Sequence, residues 1–96
     1  MPTLFTDGGF RFFFVMFDLL NELFHIHVGD GARKLCKYWI FADGNYELAE
    51  SQSFKQRELN NIEATLTSQM TFIQEAYGNY CKSNNLTINY KIKRNA

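Results

Sequence analysis

Two histidines stand two residues apart in the stretch Phe24-His25-Ile26-His27-Val28, and they are the only two in the chain. Imidazoles titrate near neutrality, so one ring can accept a proton while the other donates one. In RNA cleavage, one ring would remove the 2′-hydroxyl proton and the other would protonate the leaving oxygen. Arg11, Lys34 or Lys37 would then steady the charge building on the phosphate. The same pair can grip a metal, but zinc asks for three or four ligands. Asp18, Glu22 or Cys36 would have to complete that set, and no spacing brings them there. No metal or cofactor is expected. The plainest reading makes both rings inert groups on a sheet surface or in a protein interface.

Strand geometry decides which way the pair points. Side chains at i and i+2 project to one side, with α-carbons about 6.6 Å apart. Phe24, Ile26 and Val28 alternate with them and face the core, so His25 and His27 face outward. Gly29-Asp30-Gly31 turns the chain into a following strand through Lys-Leu-Cys-Lys-Tyr-Trp-Ile-Phe. A tight two-residue turn at Asp30-Gly31 sets His27 opposite Lys34 and His25 opposite Cys36. A longer loop through Arg33 shifts that pairing.

The other elements follow from pattern. Thr3 to Thr6 reads as a short strand, and Asp7-Gly8-Gly9 as a hairpin turn. Phe10 to Asp18 reads as a second strand with two apolar faces. Phe13, Val15 and Phe17, on the face that also carries Arg11, are candidate interface residues, and Trp39 is a fourth. Asp43-Gly44-Asn45 is another turn, with a brief strand from Tyr46 to Leu48. Ser53 and Gln56 fit a capping box. Leu59, Ile62, Leu66, Met70, Ile73, Tyr77 and Tyr80 then form one apolar stripe on a helix from about Lys55 to Cys81. Thr65, Thr67, Ser68 and Thr71 predict a bend near Ser68. Leu86 to Lys93 alternates as an edge strand.

These elements make an α+β domain over residues 1–96. Positions 1–52 are a sheet meander, 53–83 a helix and 86–93 an extra edge strand. The sheet has four or five antiparallel strands, with one long C-terminal helix packed on one face. Net charge is zero over 96 residues, so whole-molecule attraction to nucleic acid or anionic lipid is not indicated. RNA binding would need a local patch. The aromatic N-terminal run is too short for a membrane span and is interrupted by Arg11 and Asp18. Cys36 and Cys81 read as reduced thiols in a cytosol, with a single bridge as the alternative. A domain this small also gains stability from a partner, whether a second copy or another protein.

Several segments in order carry a family resemblance: Met-Pro-Thr-Leu-Phe, Gly-Gly-Phe-Arg-Phe-Phe-Phe, His-Ile-His-Val, Gly-Asp-Gly, Cys-Lys-Tyr-Trp-Ile, Glu-Leu-Ala-Glu-Ser and Ser-Phe-Lys-Gln-Arg-Glu-Leu. Together they resemble the bacterial proteins of Domain of Unknown Function 4160, over residues 1–80. Arg11, His25, His27, Lys37 and Trp39 stand at matching motif positions. The chain departs from that pattern where Leu23-Phe24 replaces a Pro-Pro pair and where Tyr77 replaces a tryptophan. The Gly29 to Leu35 segment is also longer than the family turn. Such proteins are often encoded beside a second small protein in toxin–antitoxin-like pairs. The resemblance therefore implies a small cognate protein partner. Two functions are carried forward: a cytoplasmic protein-interaction module of such a pair, or a metal-independent ribonuclease-type toxin using His25 and His27 with Arg11 and Lys37.

Overall fold

Glycine and aspartate turns cut the first half of the chain into short strands, and a 3.6-residue apolar period makes the second half a helix. The computed structural model describes residues 3–14, 23–31, 33–88 and 90. Its strands are β1 (Thr3–Asp7), β2 (Phe10–Phe13), β3 (His25–Gly29), β4 (Leu35–Ile40) and β5 (Tyr46–Gln52). They form a five-stranded antiparallel sheet in the order β1-β2-β3-β4-β5, followed by the helix α1 (Gln56–Ser83). The fold is α+β, as expected.

The first turn is tight because Gly8 and Gly9 both adopt positive φ, at 59° and 85°. That is the geometry of a two-residue hairpin loop whose twist matches its strands. Asp7 pairs with Phe10 across it. The second β-turn differs from the tight alternative. Five residues, 30–34, join β3 to β4, because Asp30 closes a wider loop. Its Oδ1 accepts the backbone N–H of Arg33 and of Lys34, each at 3.0 Å, and its own N–H donates to the Lys34 carbonyl at 3.2 Å. Gly29 is needed beside this closure, since a Cβ there would lie 2.7 Å from the Lys34 carbonyl oxygen. The register follows from the loop: His27 pairs with Lys37 and His25 with Trp39.

One face of the sheet packs on α1. Phe12, Phe14, Phe24, Ile26, Val28, Cys36, Tyr38 and Ile40 share one buried cluster with Leu59, Ile62, Leu66, Met70, Ile73, Tyr77 and Cys81 of the helix. Phe24 and Tyr77 stack with centroids 3.8 Å apart. Polar ties flank the apolar layer. Tyr38 donates its hydroxyl to Glu63 at 2.8 Å, Lys34 pairs with Glu58, Thr65 donates to Asp7, and the Gln74 amide donates to the Phe41 carbonyl. Cys36 and Cys81 are both buried and free.

Three boundaries differ from expectation. α1 starts two residues later than a Ser53 cap would place it. Ser53 has φ 66°, and the start is closed instead by Glu58, whose carboxylate accepts the Lys55 N–H at 3.0 Å. The acid at the third helical position of a Lys55 cap does what Gln56 was expected to do. The helix then runs unbroken through Ser68, with the hydroxyls of Thr67 and Ser68 donating back to carbonyls of the preceding turn.

The extra edge strand at 86–93 does not form among its described residues, which are Leu86, Thr87, Ile88 and Tyr90. Asn85 adopts φ 55°, and Leu86 donates its N–H back to the Cys81 carbonyl at 2.8 Å, which turns the chain over the helix end. Tyr90 meets Phe24 and Tyr77 edge-on, at 5.7 and 5.4 Å, so its apolar surface is taken up by the core rim. The fifth strand is Tyr46–Gln52, longer than the Tyr46 to Leu48 segment expected. A register shift between Lys37 and Tyr38 lets it follow β4 to its start. β2 ends at Phe13; Phe14 follows it buried, and residues 15–18 lie outside the described residues.

Candidate functional site

Alternation sends Arg11, Phe13, His25, His27, Leu35, Lys37 and Trp39 to the far face of the sheet, away from α1. Cross-strand pairing then gathers them: Phe13 opposes His27, His27 opposes Lys37, and His25 opposes Trp39. The rings touch in a chain. His27 stacks on Phe13 with centroids 5.5 Å and planes 19° apart. His25 meets His27 edge-on at 5.0 Å and Trp39 edge-on at 5.4 Å. Cations cap both ends. The Arg11 guanidinium lies 5.2 Å from the Phe13 centroid, and the Lys37 ammonium 4.7 Å from the Trp39 centroid.

The two histidines do not share one environment. His25 is 1% exposed, and its Nδ1 lies 2.8 Å from the Leu23 carbonyl. A carbonyl oxygen only accepts, so Nδ1 carries the proton and donates it. His27 is half-buried and lines a groove of about 400 Å³ with Leu35, Lys37, Glu50, Ser51 and Gln52. A general acid or base must come within about 3 Å of the atom it serves. In this arrangement His27 can meet a ligand in the groove, whereas the His25 ring is enclosed and holds backbone.

All four candidate catalytic residues therefore lie on one face, joined through Phe13 and Trp39. Of the candidate interface residues, Phe13 is buried at 6% exposure and Trp39 is half-buried. Val15 and Phe17 lie outside the described residues, as do Asp18 and Glu22. Among the described residues no three His, Cys, Asp or Glu side chains gather as a metal-binding group. Cys36 lies on the helix side of β4, and burial pushes its thiol pKa up to about 12, with the charge of Glu63 adding to the effect. It is a packing group, far from thiolate at neutral pH.

Some contributors were missed from sequence. A second groove of about 250 Å³ adjoins the first and shares Leu35 and Gln52 with it. Arg11, Phe13, Arg33 and Lys34 line it as well. Arg33 reaches this groove because Asp30 folds the 30–34 loop. An aspartate accepting N–H groups three and four residues ahead is a recognisable local signal. Gln52 comes alongside because β5 continues past Leu48, and nothing in its polar sequence announces that.

A family model described as a domain of unknown function, DUF4160, matches residues 9–77. The chain is a member of the DUF4160 family. No curated protein and no solved structure matches it. The matched DUF4160 span contains Arg11, His25, His27, Lys37 and Trp39 together with most of α1, so the far-face cluster and the helix behind it belong to one family unit. No helix among the described residues of this DUF4160 chain is long and apolar enough to cross a membrane.

Proposed function

We propose that this DUF4160 protein is a cytosolic protein-interaction module, one component of a toxin–antitoxin-type pair, and that the far face of its sheet meets the partner. One observation carries the reading. α1 occupies one face of the sheet, while the other presents Leu35 at 41% exposure and a half-buried Trp39 beneath the Lys37 ammonium. An apolar centre with a polar rim is the composition of a protein-binding patch. The family resemblance supplies the expectation of a small partner encoded nearby. Free, buried cysteines are in keeping with a reducing compartment.

Co-expression with the product of the adjacent gene tests it. The complex is expected to elute as one species in size exclusion with light scattering, and Leu35→Asp or Trp39→Ala is expected to break it. A chain that remains monomeric and indifferent to that product ends the reading.

Ribonuclease activity is the second reading, favoured by His27 standing beside Lys37 in an accessible groove. The enclosed His25 counts against a two-histidine mechanism. Growth arrest on expression, abolished by His27→Ala in a folded protein, would put the nuclease ahead.

A further inference from the structure

The groove beside the 30–34 loop has a chemistry of its own. Arg11, Arg33 and Lys34 all line it, and no carboxylate does among the described residues. Lys34 is paired with Glu58, whereas neither the Arg11 nor the Arg33 guanidinium has a carboxylate partner among the described residues. Asp30, the nearest acid in sequence, turns its Oδ1 onto backbone N–H groups of its own loop. The Arg11 guanidinium lies over the Phe13 ring, which itself stacks on His27. A planar fork held in this way is set up for bidentate carboxylate binding. Leu35 separates this groove from the one with Lys37 and His27, and among the described residues it is the exposed apolar residue of the face. For a chain of zero net charge, cations are thus concentrated on one small surface.

Resting on the reading that the protein binds a partner protein, we infer that this groove docks an acidic, leucine-like segment of that partner. Arg11 and Arg33 hold its carboxylates, and Leu35 contacts an apolar side chain between them. A peptide suits the site better than a polynucleotide. Glu47 and Glu50 of the edge strand β5 lie along the same face. They oppose a phosphate backbone continuing past the two arginines, whereas a short acidic segment ends before them. The apolar step at Leu35 also has a natural counterpart in a side chain.

Fluorescence anisotropy with three probes tests this. The first is a labelled peptide rich in Asp, Glu and Leu; the second has Asn and Gln in place of the acids; the third is a uridine-rich RNA oligonucleotide. The acidic peptide is expected to bind, the amide peptide to bind at least roughly tenfold more weakly, and affinity to fall with added salt. Arg11→Glu and Arg33→Glu are each expected to weaken the acidic peptide roughly tenfold or more. Arg11→Lys, which keeps the charge without the fork, is expected to fall between. Urea midpoints show that each variant is folded. Equal binding of acidic and amide peptides, or arginine variants that bind like the parent, would overturn the inference. So would Arg11-dependent binding of the RNA in place of the peptide. The complex with the adjacent gene's product is measured alongside. If it survives both charge reversals, the inference falls and the partner reading stands. If the parent chain forms no complex, both fall.

Discussion

His27 stacks on Phe13 across β2 and β3, with ring centroids 5.5 Å apart and planes inclined by 19°. Phe13 is almost fully buried, while His27 is open on its groove side. The phenylalanine is therefore a support for both His27 and Arg11, and the imidazole and the guanidinium are what a ligand meets. Phe13→Ala is expected to cost about 3 kcal/mol of stability through the lost ring and the cavity left behind. Arg11→Gln, at an exposed position, is expected to change stability by less than about 0.5 kcal/mol. Urea denaturation of both variants checks the contrast.

The two histidines should separate in the same assay. His25 is enclosed and bonded to the Leu23 carbonyl, so His25→Ala is expected to lose about 2 kcal/mol. His27→Ala removes a half-buried ring and is expected to lose about 1 kcal/mol or less. Of the two histidines, only His27 is expected to change partner binding on substitution by Ala while costing little stability. Equal destabilisation by the two substitutions would mean that His27 is as structural as His25.

Alkaline pH should unfold the protein early. Burial, and then the charge of Glu63, raises the Cys36 pKa from 9.0 to about 12. Burial, and then the hydrogen bond to Glu63, raises Tyr38 well above its ordinary 10.0. Above those ordinary values the unfolded chain releases protons that the folded chain keeps, so rising pH favours unfolding. The contribution is whole below pH 9.0 and is lost progressively as pH climbs toward about 12. Urea midpoints measured between about pH 8 and about pH 10.5 are expected to fall, and Cys36→Ala is expected to make the fall shallower. In the native state at neutral pH, the same thiol is expected to resist alkylation that proceeds readily in urea.

The start of α1 offers a fourth test. Ser53 holds a left-handed backbone conformation without serving as the cap, so Ser53→Gly is expected to stabilise by about 0.5 to 1 kcal/mol. Glu58 both accepts the Lys55 N–H and pairs with Lys34, and these contacts hold its carboxyl below the ordinary pKa, the Lys34 bond first. Glu58→Gln is expected to lower the melting temperature, while Ser53→Ala is expected to leave it nearly unchanged. Thermal melts by circular dichroism read both.

Local pattern decided much of this protein. The apolar stripe of α1, the Gly8-Gly9 hairpin and the outward placing of His25 and His27 all follow from periods and turn chemistry that act within a few residues. The family resemblance was legible for the same reason, since its motifs sit on those local elements. Tertiary structure decided the rest. Asp30 folded a five-residue loop, which moved the partner of His27 from Lys34 to Lys37 and brought Arg33 to the groove. Packing at the helix end drew Tyr90 onto Phe24 and Tyr77, where alternation alone had suggested an edge strand. Above all, one of two histidines with identical local patterning became enclosed and the other stayed at a groove. Alternation sets the side of the sheet a residue faces; what lies over that side depends on contacts far along the chain.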